Sequence, residues 1–154
     1  MDKNLLTLIG TAIQREEDAY AFYMAIHDRI SDAGVRDTLK WIAGEEQKHR
    51  AFLVAYREGA HGQGGLRLSD VVYYKIAEHQ AEPAVSTDMS SSEVYLVAAH
   101  RESRSHFFYA ELANQHPAGE VRDMLLKMAN EELKHKEKME YLYTNTAFPQ
   151  TSGG

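Results

Sequence analysis

The sequence predicts an all-α protein, a four-helix bundle made by duplicating one helical hairpin, and three observations lead there. Apolar residues recur at intervals of three and four along four long stretches, which is helical spacing. The stretch Glu45-Glu46-Gln47-Lys48-His49 returns nearly unchanged as Glu131-Glu132-Leu133-Lys134-His135. Its surroundings return too, always 86 residues on: Arg15-Glu16 as Arg101-Glu102, Phe22-Tyr23 as Phe108-Tyr109, and Val35-Arg36-Asp37 as Val121-Arg122-Asp123. A register kept without a gap across a helix, a turn and a second helix implies a duplicated unit and a bundle of pseudo-twofold symmetry.

Helix 1 is read from about Asn4 to Ser31 on Leu5, Leu8, Ile9, Ala12, Ile13, Ala19, Tyr20, Phe22, Tyr23, Ile26 and Ile30. Ser31-Asp32-Ala33-Gly34 makes a turn, and Val35, Leu39, Ile42, Phe52, Leu53 and Tyr56 carry helix 2 to about Glu58. So short a loop makes the pair an antiparallel hairpin. A long crossover follows, about 59–89, because a second hairpin repeating the first must start back at the other end of the bundle. Its Leu66 to His79 part fits either helix or extended chain.

Ser90 followed by Glu93 reads as a capping box for helix 3, which Val94, Leu96, Val97, Phe107, Phe108 and Leu112 carry until His116-Pro117 stops it. Helix 4 starts there, with Val121, Met124, Leu125, Met128, Leu133, Met139 and Leu142 as its apolar stripe. From Thr144 the chain is polar and without period. Residues 1–146 are therefore taken as one bundle domain and 147–154 as a flexible tail. Trp41, Phe22 and Phe108 are core candidates.

Length and composition narrow the partners. A chain of 154 residues, 44% apolar and 26% charged, suits one domain with a single core. A net charge of −6 with mixed signs along the helices supplies no basic face for nucleic acid. No basic n-region opens the chain and no run of eighteen apolar residues occurs, so a cytoplasmic, unanchored protein is expected. Without Cys there are no disulfides, thiolate nucleophiles, iron–sulfur clusters or Cys-ligated zinc. Redox chemistry must then rest on oxygen and nitrogen ligands.

Such ligands are what the repeated motif supplies. Three residues of α-helix, at ~100° each, return a side chain to within about 60° of its start, so Glu46 and His49 share a face, as do Glu132 and His135. Carboxylate and imidazole together suit iron, manganese or zinc. A bundle that receives such a pair from each of two helices takes one further Glu from each of the others, and the symmetry selects Glu16 and Glu102. Four carboxylates neutralise two divalent ions, which makes the filled site tolerable in an interior. Tyr23 and Tyr109 lie seven residues past Glu16 and Glu102, about 20° off the same line, where each hydroxyl can reach the site.

Glu45 and Glu131, one residue off the ligand angle, read as flanking or surface charges, and Lys48 and Lys134 as their solvated partners. His106, four residues after Glu102, takes the place of Tyr20 and is either a seventh ligand or a packed histidine. His27, His61, His79, His100 and His116 have no match in the other repeat and read as exposed or loop residues.

Together these motifs resemble the rubrerythrin family of ferritin-like di-iron proteins, over about Leu5 to Glu58 and Ser91 to Leu142. The resemblance implies that Glu16, Glu102, Glu46 with His49 and Glu132 with His135 bind two iron ions, the E-x-x-H glutamates bridging them, with manganese or zinc as substitutes. The tyrosines of the family fall on Tyr23 and Tyr109. It also implies a homodimer and an oxidoreductase that reduces hydrogen peroxide or dioxygen. Full-length rubrerythrins carry a rubredoxin domain with four Cys that this sequence lacks, so the electrons are expected from an external, rubredoxin-like donor. Typical members also place an extra Glu one turn past the helix 3 ligand, where Ser105 stands here, which weakens the peroxidase reading. The alternatives are a ferroxidase that handles iron for storage or delivery, and a metal-free helical adaptor.

Overall fold

The computed structural model describes residues 1–62, 66–80 and 90–147, and every described element is helical. The helices are α1 (Lys3–Arg29), α2 (Ala33–Arg57), α3 (Asp70–Ala77), α4 (Ser91–Gln115) and α5 (Glu120–Ala147), with one 3-10 turn at Glu78–Gln80. The chain forms two compact units, Met1–Lys75 and Ile76–Gly154, each built on one helical hairpin.

In the first unit α1 packs along α2. Asp2 caps α1, its carboxylate accepting from the Leu5 amide at 3.1 Å, and Asp32 caps α2 by accepting from the Val35 amide at 3.0 Å. Capping by Asp32 puts Gly34 inside the first turn of α2, so the connection is shorter than the expected 31–34 turn. The end of α2 is set by Gly59. At φ 87° it adopts the left-handed conformation, the Ala60 amide reaches back to the Ala55 carbonyl and the Gly59 amide to that of Tyr56. The same Asp2 carboxylate also accepts from the Leu68 amide, while the Asn4 amide donates to the Leu68 carbonyl and to Asp70. These bonds tie the chain after α2 back to the start of α1. The stretch left open between helix and extended chain divides, extended at 66–69 and helical from Asp70.

In the second unit α4 packs along α5 and the 3-10 turn packs on α4. The capping box is present in full: the Glu93 amide donates to the Ser90 hydroxyl and the Ser90 amide to the Glu93 carboxylate. α5 begins at Glu120, three residues beyond Pro117, and runs to Ala147, past the expected start of the tail. Thr144-Asn145-Thr146 are weak helix formers but not breakers, and the first breaker is Pro149, which disfavours helix in the residue before it. Residues 63–65, 81–89 and 148–154, parts of the crossover and the tail, lie outside the described residues.

Each hairpin buries the stripe that periodicity selects, with three corrections. Trp41 is 57% exposed and not a core residue. On α4 the buried face runs through Val94, Tyr95, Ala98, Ala99, Phe108, Tyr109, Leu112 and Ala113, leaving Leu96 and Phe107 exposed. Small alanines let α4 approach its neighbour closely, and they carry no hydrophobic signal strong enough to outvote a Leu or a Phe. His116 is the third: read as an exposed or loop residue, it is 5% exposed, its Nδ1 bonded to the Leu112 carbonyl at 2.8 Å. Burial holds its imidazole below the ordinary histidine value, against the opposing pull of that bond.

Candidate metal centre

Charged side chains at the middle of a buried stripe are costly unless something compensates them, and each hairpin has three ionisable groups there. Glu16, Glu46 and His49 in the first unit and Glu102, Glu132 and His135 in the second are each at most 3% exposed. On α1, Glu16 continues the apolar line of Leu5, Leu8, Ile9, Ala12 and Ile13, and Tyr23 follows it. On α2, Glu46 and His49 sit between Ala43 and Phe52 in the same way.

The two triads have nearly the same geometry. His49 Nδ1 lies 3.7 Å from Glu16 Oε1 and 3.9 Å from Glu46 Oε1. His135 Nδ1 lies 3.6 Å from Glu102 Oε2 and 3.9 Å from Glu132 Oε1. Such separations are too long for hydrogen bonds. They match donor atoms set around one ion, since ligands about 2.0–2.2 Å from a shared metal stand roughly 3–4 Å apart. In the first triad, one donor atom from each residue lies within 4.8 Å of the others, and the same holds in the second. The residues therefore fit a divalent ion in each hairpin, with a carboxylate-rich, thiolate-free donor set.

Glu45, one position off, points elsewhere: its carboxylate pairs with the exposed Lys48 at 3.2 Å. His106 Nδ1 meets the Ala129 carbonyl at 2.7 Å and so joins α4 to α5. That bond makes it a packed histidine on its Nδ1 side. Tyr23 and Tyr109 are both buried, and each meets the phenylalanine before it edge-on, at 5.6 Å for Phe22–Tyr23 and 5.1 Å for Phe108–Tyr109.

Two further tyrosines on these faces were read only as ordinary residues of the helices. Tyr95 is buried seven residues before Glu102, and Tyr56 is buried seven residues after His49, its phenol pushed up to about 12 by burial. The seven-residue spacing that picks out Tyr23 and Tyr109 also picks out these two. They escape a search by symmetry, because their counterparts are Ile9 and Leu142.

Two helical hairpins, each burying two carboxylates and an imidazole, define an all-α protein of the ferritin-like class with a candidate metal site in each hairpin. The chain belongs to the rubrerythrin family, whose model matches residues 7–143, both hairpins included. No curated protein and no solved structure matches the chain significantly. None of the described helices is long and apolar enough to cross a membrane.

Proposed function

We propose that the protein is a di-iron oxidoreductase that reduces hydrogen peroxide or dioxygen with electrons from an external donor. The observation that carries the reading is the pair of matching buried triads, Glu16/Glu46/His49 and Glu102/Glu132/His135, in a member of the rubrerythrin family. When bound, two ferrous ions supply one electron each, enough to reduce peroxide to two waters with the uptake of two protons. The chain's own part is to hold and to exclude. Four glutamates offset the charge of two divalent ions, and their burial keeps bulk water from the reduced centre. His49 and His135 must be neutral at the nitrogen that binds. Tyr23 and Tyr109 keep a phenol on the face of Glu16 and Glu102, placed to donate a hydrogen bond to a carboxylate or an oxygen ligand. No cysteine occurs in these 154 residues, so they hold no thiolate-bound iron to re-reduce the pair, and a rubredoxin-like protein is the partner proposed. A homodimer in the cytoplasm is the setting proposed for it.

The test is anaerobic. Protein loaded with two Fe(II) per chain should consume one peroxide per pair in a single fast turnover, followed optically, and continue turning over only with a reduced donor. Iron-loaded protein whose oxidation by peroxide is no faster than that of free Fe(II) would reject the proposal. The ferroxidase reading separates in the same cuvette, since it requires excess Fe(II) to be oxidised catalytically with no protein donor.

A further inference from the structure

A ligand set this deeply buried needs a way in, and Glu16 lines an opening. A cleft of about 300 Å³ on the first hairpin is bounded by Glu16, Glu17, Tyr20, Gln47 and Arg50. Gln47 and Arg50 stand in solvent, whereas Glu16 is 3% exposed, so the cleft runs from the surface of α2 to a member of the buried triad. At its rim Arg50 Nε donates to Glu17 Oε1 at 2.7 Å, with both side chains nearly half exposed.

The lining selects among visitors by charge and donor type. Glu16, Glu17, Tyr20 and Gln47 present oxygen atoms, as hard divalent cations prefer, and the formal balance of two carboxylates against one guanidinium is negative. The volume equals about ten waters at roughly 30 Å³ each, which is room for an ion that keeps its hydration shell. An anion would meet net repulsion. The second hairpin does not repeat the set: Glu17, Tyr20, Gln47 and Arg50 correspond to Ser103, His106, Leu133 and Lys136, and His106 is bonded across to Ala129.

We infer that this cleft is the loading port of the metal centre, a transient site for a hydrated divalent cation. Glu17 attracts the ion, and Arg50 competes with it for the Glu17 carboxylate until the ion passes inward to Glu16. The inference rests on the two triads being a metal centre, and its test separates the port from the centre. Because Arg50 and Glu17 oppose one another, their removal should shift the rate of loading in opposite directions while the final occupancy stays the same.

The experiment mixes metal-free protein with Co(II) in a stopped-flow instrument and follows the visible absorption of the bound ion, with equilibrium titrations in parallel. Glu17→Gln should slow loading about three- to ten-fold at low ionic strength, with the effect shrinking near 0.1 M salt, where the Debye length is about 10 Å. Arg50→Gln should speed it by a similar factor and Arg50→Lys should restore the original rate. Lys136→Gln, at the matching place on α5, should change it less than about two-fold. All four should bind as much Co(II) as the unaltered protein. Unchanged rates in Glu17→Gln and Arg50→Gln, or a shift in the same direction in both, would overturn the port while leaving the centre intact. Failure of the unaltered protein to bind Co(II) would instead overturn the centre, and the port with it.

Discussion

Replacing Glu46 with Gln should move the stability of the metal-free and metal-loaded protein in opposite directions. The side chain keeps its shape, but one charge leaves a buried triad in which the ligand atoms of Glu16, Glu46 and His49 lie within 4.8 Å of one another. Two carboxylates 4.8 Å apart repel by about 3.5 kcal/mol at an effective dielectric constant near 20, which sets the scale of what the substitution relieves in the absence of metal. Each kcal/mol is worth roughly 2–4 °C for a chain of this size, so metal-free Glu46→Gln should melt higher, by roughly 7–14 °C if the whole of that repulsion is relieved. With metal the sign reverses. At ~100 times the dissociation constant an ion adds about 2.7 kcal/mol to the unaltered protein, and a variant lacking one anionic ligand should lose most of that gain. Thermal melts followed by circular dichroism, with chelator and with Mn(II), give both differences. If Glu46→Gln lowers the melting temperature equally in the two conditions, the residue is a structural group and the triad is not built to hold an ion.

Three further outcomes are expected. Glu46→Ala and Glu132→Ala should lower metal stoichiometry by elemental analysis, while Glu45→Ala and Glu131→Ala should leave it near that of the unaltered protein; equal losses would mean that the ligand register is wrong. Peroxide consumption should stop after about one turnover per iron pair and resume on adding reduced rubredoxin-like protein, so sustained turnover without a donor would contradict the external-donor reading. His116 has a lowered pKa in the folded state, so below the ordinary value of 6.5 the unfolded chain binds more protons than the folded one, and stability is lost as pH falls from about 6.5 toward that lowered value. His116→Gln, melted free of metal, should show a flatter profile between pH 7 and 5, and identical slopes would remove His116 as the cause.

Most of this architecture is legible in the sequence because the ligands come in two copies. One E-x-x-H on a charged helix is weak evidence, whereas a second, with Glu16/Glu102 and Tyr23/Tyr109 in the same register, ties four helices to one plan before any coordinate is known. The departures are of other kinds. Trp41 is large and apolar, yet it faces solvent, because which face of a helix turns inward is settled by the whole stripe and not by its bulkiest member. The α4 core includes Ala98, Ala99 and Ala113, which a scan for large apolar residues undervalues. His116 follows the end of α4, where a sequence reading expects solvent, and only the bond back to Leu112 shows it turned inward. The cleft at Glu17 and Arg50 pairs residues 33 apart on different helices, and the other repeat, with Ser103 and Lys136 in their places, has no matching pair to draw attention to it.

Duplication also explains where the symmetry should fail. The six candidate ligands stay matched, with His-to-Glu separations in the two hairpins agreeing to within 0.1 Å. Among the residues a turn or two away some stay matched, Phe22-Tyr23 with Phe108-Tyr109, and others diverge. The first hairpin buries its second tyrosine beyond His49, as Tyr56, and the second buries its own before Glu102, as Tyr95. Tyr20 lines an open cleft, whereas His106 in its place is bonded across to α5. Matched triads with different phenols around them do not have the same surroundings, so the hairpins offer chemically distinct positions. The proposed reaction, which would take one electron from each of two ions, has a use for that inequality, and it is written in the neighbours of the candidate ligands, not in those residues themselves.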